Sequence, residues 1–326
     1  MFTTLIETIE DSLELLGGKG RSLAKMKMAG FNVPGGFVVT ADAYRTFIEE
    51  NGLQLDILSE AKPELRAGYP VFDKCAERIH GLVMHQAING AMLEEIRSAY
   101  SSIGIDVPVA VRSSANAEDL PDFSFAGQQE TYLNVRGETA VAEAVQKCWA
   151  SLWTAQAISY RHQNGIDQGS VAMAVVVQVM VPSEVSGILF TANPATGERS
   201  EIILNASFGL GEAVVGGEVT PDTFVVDRAD LSVKESILGP KEHQVVYDGD
   251  QGVRMEAISD ADREQSCMSA GMIKELCAGA LEIEALNDGQ PQDIEWAFCD
   301  GVLHLLQSRP ITNLPVQPIE LEWIPT

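Results

Sequence analysis

Five residues, drawn from three separate stretches of the chain, have side chains that would work well together. Lys19 lies in LLGGKGRSL, Arg112 in VAVRSSANAED, and Glu295, Gln307 and Arg309 in DIEWAFCDGVLHLLQSRPI. A carboxylate and an amide oxygen are hard ligands of the kind magnesium takes when phosphate and water complete its shell. Three basic groups beside them would suit a polyphosphate. Each residue alone has an ordinary explanation. Lys19 could be a solvated lysine at a glycine turn, and no Gly-x-x-x-x-Gly-Lys-Ser/Thr motif occurs in the chain. Arg112 could pair with Glu118 or Asp119, and the last stretch could be a hairpin with one wet face.

The elements that must position these residues can be read locally. Two apolar runs interrupted by Cys299-Asp300-Gly301 predict a β-hairpin. A three-residue loop with Gly301 in the left-handed position sets Phe298 opposite Val302 and Asp293 opposite Gln307. Period-two alternation then gathers Asp293, Glu295, Leu305, Gln307 and Arg309 on one face, with Glu295 and Gln307 as diagonal neighbours. A two-residue loop would separate that pair across the sheet.

Upstream, GGKG opens a helix that Gly30 can stop, where backbone amides and the helix dipole favour an anion. Thr40 is placed to cap a helix ending near Asn51-Gly52. VPVAVRSSA reads as a strand ending at Arg112, and SFAGQQETYLNV as a small-residue loop running into a strand. Single helices are expected over 141–163 and 260–286, and the valine-rich run 171–181 reads as a buried strand.

Composition narrows the partners. The chain has 326 residues, 45% hydrophobic and 21% charged, which is enough for two lobes. Twenty-two Lys and Arg against 47 Asp and Glu give a net charge of -25, which argues against nucleic acid and anionic membrane as partners. An anionic ligand needs converging basic residues or a divalent cation. Five cysteines without a Cys-x-x-Cys pair suggest neither a disulfide framework nor a zinc site, and fit a reducing cytoplasmic setting. The acidic start MFTTLIETIEDS does not read as a signal peptide, and the longest apolar run is too short to span a bilayer. The five histidines lie in no metal-like spacing.

Longer motifs carry a resemblance. GGKGRSLAKM, VPGGFVVTADAYR, VAVRSSANAEDLPDFSFAGQQETYLNV, DIEWA and LQSRPIT resemble the nucleotide-binding region shared by phosphoenolpyruvate synthase, pyruvate phosphate dikinase and rifampin phosphotransferase. The resemblance covers about residues 15–312, and the stretch from VPSEVSGILF to PDTFVVD is similar to the rifampin phosphotransferase type. It implies an α/β ATP-grasp fold, with one lobe over 1–180, a second over 181–312, and 313–326 as a linker toward a further domain. ATP and Mg2+ are the implied cofactors.

The resemblance also implies roles for single residues. Lys19, Arg112 and Arg309 would contact phosphates, and the loop with Gly127, Gln128 and Thr131 would close over them. Gln178 to Met180 would form the hinge beside adenine, Glu295 and Gln307 would bind the metal, and Glu212 is a candidate for ribose or metal. In such enzymes ATP is split to AMP and phosphate while the β-phosphoryl group passes to a histidine on a swivelling domain, then to an acceptor. A Gly-Gly-x-x-Ser-His-like stretch is not found in the 326 residues. The expectation is an ATP-binding part served by histidine and acceptor domains of the same full-length chain or of a separate subunit. A nucleotide-sensing module that passes no phosphate on is the alternative.

Overall fold

The computed structural model describes residues 1–7, 12–115, 130–250, 252–312 and 314–315. Gly127, Gln128, Glu118, Asp119 and nearly all of the expected 313–326 linker lie outside the described residues. The chain divides into two compact units, Met1–Val181 with Tyr247–Arg254, and Pro182–Val246 with the remainder from Met255.

The first unit runs β1 (Thr3–Leu5), α1 (Leu13–Met28), β2 (Gly36–Val39), α2 (Ala41–Glu50), α3 (Leu53–Glu60), β3 (Glu64–Arg66) and β4 (Tyr69–Val71). It continues with α4 (Asp73–Met84), α5 (Gly90–Ile103), β5 (Val109–Ala115), β6 (Thr131–Val135), α6 (Glu138–Ser151), α7 (Ala155–Gln163) and β7 (Met173–Val179). Among the described residues its main sheet has the order β1-β2-β7-β5-β6, with every pairing antiparallel.

The central strand β7 is buried along nearly its whole length, because both faces of the sheet are covered. Val39, Val109, Val111, Val175 and Val177 join Phe47, Ile96, Val145 and Trp149 from the helices in one apolar cluster. On the other face, Gly20 of α1 meets Val38. Arg112 is in the middle of β5 rather than at its end, because the strand continues through Ser113 to Ala115. The helix expected over 141–163 is two helices: the chain turns at 152–154, and Thr154 accepts the Ala157 amide to cap the second.

The second unit contains β8 (Val185–Phe190), β9 (Glu201–Phe208), α8 (Glu212–Val215), β10 (Asp222–Asp227), β11 (Val233–Ile237) and β12 (His243–Tyr247). After these come β13 (Val253–Ala257), α9 (Asp260–Arg263), α10 (Ala270–Leu286), β14 (Gln292–Cys299) and β15 (Val302–Pro310). Its sheet has the order β11-β10-β9-β8-β14-β15, again antiparallel throughout. Ile294, Trp296, Phe298, Leu189 and Leu204 are buried, and α10 packs on β14 and β15. The helix expected over 260–286 is interrupted, since Ser269 accepts the Met272 amide and starts α10 afresh.

Lys241 and Asp222 form a fully buried ion pair whose carboxylate also accepts the amides of Gly239 and Cys267. The edge strand β11 is exposed at every position; its Lys234 reaches Asp227 and Glu201, and its pairing with β10 is irregular at Val225/Val226.

Candidate functional site

In the first unit the candidate residues gather around β5. The helix α1 breaks at Gly17, whose φ of 66° and ψ of 178° are not helical. Only a glycine fits, because a Cβ there would stand 2.1 Å from the Ser114 carbonyl oxygen. Ser114 holds the break together: its hydroxyl donates to the Leu16 carbonyl at 2.8 Å and accepts from the Gly20 amide at 3.2 Å. The glycines of LLGGKGRSL thus seat the helix on the strand, and Lys19 follows. Its Nζ donates to the Ser113 carbonyl at 3.0 Å.

Arg112 pairs directly with Thr131 across β5 and β6, so these two expected phosphate contacts share a face. Alternation puts Ala110, Arg112 and Ser114 on the side where Ser114 meets α1, and Gln178 lies opposite Ala110. Lys19, Arg112, Thr131 and Gln178 therefore belong to one side of the first sheet. Gln178 is buried, and its Nε2 has no hydrogen-bond partner among the described residues. The backbone amides of Val179 and Met180 are already engaged, by the Gly35 and Pro108 carbonyls, and the Met180 sulfur accepts the Asn134 amide. Of the expected hinge, the Gln178 side chain is the donor still open to a ligand.

In the second unit the hairpin differs from the expected one in its turn. Cys299 pairs with Val302, so the loop is the two residues Asp300 and Gly301. Both have positive φ, 51° and 72°, as a type I′ turn requires. Asp-Gly satisfies that turn directly, which is why the three-residue loop does not form. A regular ladder from this turn would place Leu306 opposite Glu295. Instead the register shifts between Glu295 and Trp296, Leu306 becomes an extra residue, and Gln307 stands directly opposite Glu295. The pair is closer than the expected diagonal. Leu305 moves to the buried side opposite Trp296, away from the polar face where alternation placed it.

Arg309 stands opposite Asp293, and its Nε and second amino nitrogen reach Asp293 Oδ2 at 2.9 and 2.8 Å. Burial pushes the Asp293 carboxyl upward in pKa; Arg309 opposes that and Glu295 adds to it. Gln307 is buried, and its Oε1 has no hydrogen-bond partner among the described residues. Behind it, Ser308 donates to Gln292 Oε1 and the Gln292 amide donates to Thr191, so the strands beneath are tied together. Glu212 opens the single turn of α8, just after the Phe208–Gly211 segment that Ser186 holds by donating to the Gly209 carbonyl.

Among the described residues, no three His, Cys, Asp or Glu side chains gather as a metal site. A cation at the hairpin would have one carboxylate and one amide from the protein. A surface cavity of about 370 Å³ lined by Glu60, Arg78, Leu82, His85 and Gln86 contains none of the candidate residues. Asp293 and Ser114 were missed as contributors. The Asp-Ile-Glu alternation was a signal for Asp293; nothing in VRSSA distinguishes the second serine from the first.

The profile of the pyruvate phosphate dikinase AMP/ATP-binding domain matches residues 13–320. The chain belongs to that family. As a pyruvate phosphate dikinase-type AMP/ATP-binding domain, it is 42% identical over 320 residues to a probable phosphoenolpyruvate synthase of Methanocaldococcus jannaschii, covering 95% of this chain and 26% of that one. It is 39% identical over 353 residues to the phosphoenolpyruvate synthase of Pyrococcus furiosus, covering 94% and 43%. It is also 40% identical over 314 residues to the rifampicin phosphotransferase of Streptomyces sviceus, covering 95% and 36%. The domain thus spans between a quarter and a half of the length of these relatives. No helix among the described residues of the domain is long and apolar enough to cross a membrane.

Proposed function

We propose that this chain binds magnesium-ATP and presents the β-phosphoryl group to a histidine on a separate swivelling domain. The β-phosphoryl passes to that histidine with AMP as the leaving group, water takes up the γ-phosphoryl and releases it as phosphate, and the histidine delivers the β-phosphoryl to an acceptor such as rifampin or pyruvate. The observation that carries the reading is Gln307. A buried carbonyl oxygen without a partner costs about 1 to 3 kcal/mol, and this one stands opposite Glu295 beside the Arg309–Asp293 pair.

Glu295 and Gln307 fit a magnesium ion that takes most of its shell from water and phosphate. When bound, such an ion draws charge from the phosphate oxygens. Asp293 holds the Arg309 guanidinium in place for phosphate, and the Ser113 carbonyl does the same for the Lys19 ammonium. Arg112 adds a planar group suited to bidentate phosphate contact. Thr131, with Gly127 and Gln128, would close over the phosphates, while Gln178 and Met180 would flank adenine and Glu212 the ribose or metal. The work of the domain is positioning and electrostatic stabilisation.

In this reading the fold is an ATP-grasp, with lobes over 1–180 and 181–312 and residues 313–326 leading toward the histidine and acceptor domains. A reducing cytoplasm suits the cysteines, all five of which are free. Identities of 40% and 42% to relatives of two kinds favour neither acceptor.

The test is phosphoryl transfer. ATP labelled at the β-phosphate, magnesium and a histidine-domain fragment should give an acid-labile label on the fragment, and rifampin or pyruvate added with its acceptor domain should discharge it. A fragment that stays unlabelled under every condition, with ATP still bound, would identify a nucleotide-sensing module instead.

A further inference from the structure

The ladders of the second unit align five side chains in one row. Gln307 stands opposite Glu295, Glu295 opposite Ile188, Ile188 opposite Asn205, and Asn205 opposite Thr223. Directly opposed residues project to the same face, so Asn205 and Thr223 share the side of the sheet that carries Glu295 and Gln307.

Asparagine is disfavoured inside strands, yet Asn205 occupies the middle of β9 and is only half-buried. Thr223 Oγ1 donates to Asn205 Oδ1 at 2.9 Å, which fixes the plane of the amide. The Nδ2 donor has no hydrogen-bond partner among the described residues. An oriented donor is thereby presented on the face of the candidate metal ligands.

Its placement also selects a target. Two strand spacings, about 10 Å, separate Asn205 from Glu295, and the side chain between them is the apolar Ile188. A nucleotide whose terminal phosphates lay beside Glu295 would have its ribose hydroxyls about 10 Å away, roughly two strand spacings, and those hydroxyls can accept hydrogen bonds. We propose that Asn205, oriented by Thr223, is a further nucleotide-binding residue that donates to a ribose hydroxyl of ATP. The proposal rests on the reading of the hairpin as a magnesium-ATP site.

Calorimetry on the intact chain with magnesium would compare ATP, 2′-deoxyATP, 3′-deoxyATP and inorganic triphosphate for the parent, Asn205→Ala and Thr223→Val. One hydrogen bond predicts that the parent prefers ATP to one of the deoxy nucleotides by roughly three- to tenfold. Asn205→Ala should lose that preference while holding the same deoxy nucleotide and triphosphate as the parent does. Thr223→Val, which keeps a β-branched side chain in the strand, should lose part of it and remains informative if the alanine variant fails to fold. Equal weakening toward every ligand, or an undiminished ribose preference in both variants, would overturn the proposal while leaving the ATP site standing. A parent that does not bind magnesium-ATP would overturn both.

Discussion

Glu295 and Gln307 face each other across the β14–β15 ladder because Leu306 is an extra residue in the second strand. The two-residue turn at Asp300-Gly301 leaves the ladder one residue out of phase for this pair, and the bulge restores the phase. Deleting Leu306 should therefore give a regular hairpin in which Gln307 still opposes Glu295, and magnesium-dependent ATP binding should survive. Deleting Asp300 should move the pair out of register and abolish it. Calorimetry on the two deletion variants checks this; the reverse ranking would sink the account.

Gln307→Met should act in opposite directions on stability and binding. Removing a buried carbonyl that has no partner among the described residues should stabilise the free chain by about 1 to 3 kcal/mol, provided the similar-sized thioether packs in the same space. The same change removes a proposed metal ligand, so ATP affinity should cease to depend on magnesium. Urea melts without nucleotide and titrations with and without chelator measure the two effects. A variant that is less stable and keeps its magnesium dependence would contradict both halves.

Lys19→Ala and Arg112→Ala should each weaken ATP binding by about 1.5 to 3 kcal/mol, the usual worth of a hydrogen bond to a charged group, and leave adenosine binding nearly unchanged. Equal loss toward ATP and adenosine would make the residue a structural one.

Gly17→Ala should destabilise the first unit, since the added Cβ would overlap the Ser114 carbonyl and require positive φ. Gly301→Ala meets no neighbouring atom and should cost only the left-handed conformation, about 1 to 2 kcal/mol. Thermal melts should rank Gly17→Ala as the more damaging.

Asp293 sets a pH dependence. Its carboxyl titrates above the ordinary value of 3.8, chiefly because it is buried. The fold therefore favours the protonated acid, and the stability this group contributes is present below the unfolded value and is lost as pH rises through the raised one. Asp293→Asn should remove that downward component from the stability curve of the free chain above pH 3.8. It should also loosen Arg309 and weaken ATP binding. A variant curve parallel to the parent's across that window would refute the assignment.

How far the sequence reaches is clear from these same residues. Alternation through Asp293 and Glu295, together with the polar Gln307 and Arg309, was enough to put all four on one face. It failed for Leu305, since a bulge has no local signature: whether a ladder gains an extra residue depends on what the opposing strand must match. Asp300-Gly301 was ambiguous because glycine serves both two- and three-residue loops. The breaks before α7 and α10 were missed although Thr154 and Ser269 are good caps, because the apolar spacing continues across them. The role of Ser114 is a long-range contact, 98 residues from its partner Leu16.

The edge strand β11 bears on how the chain behaves in a crowded solution. A fully exposed outer strand is a template on which another chain can add, and aggregation starts from such rows of open backbone groups. Here the irregular pairing at Val225/Val226 interrupts the flatness that an incoming strand would need, and Lys234, with Asp227 and Glu201, sets charge along the border. The second unit can leave the side of its sheet uncovered because that border is built to refuse a copy of itself.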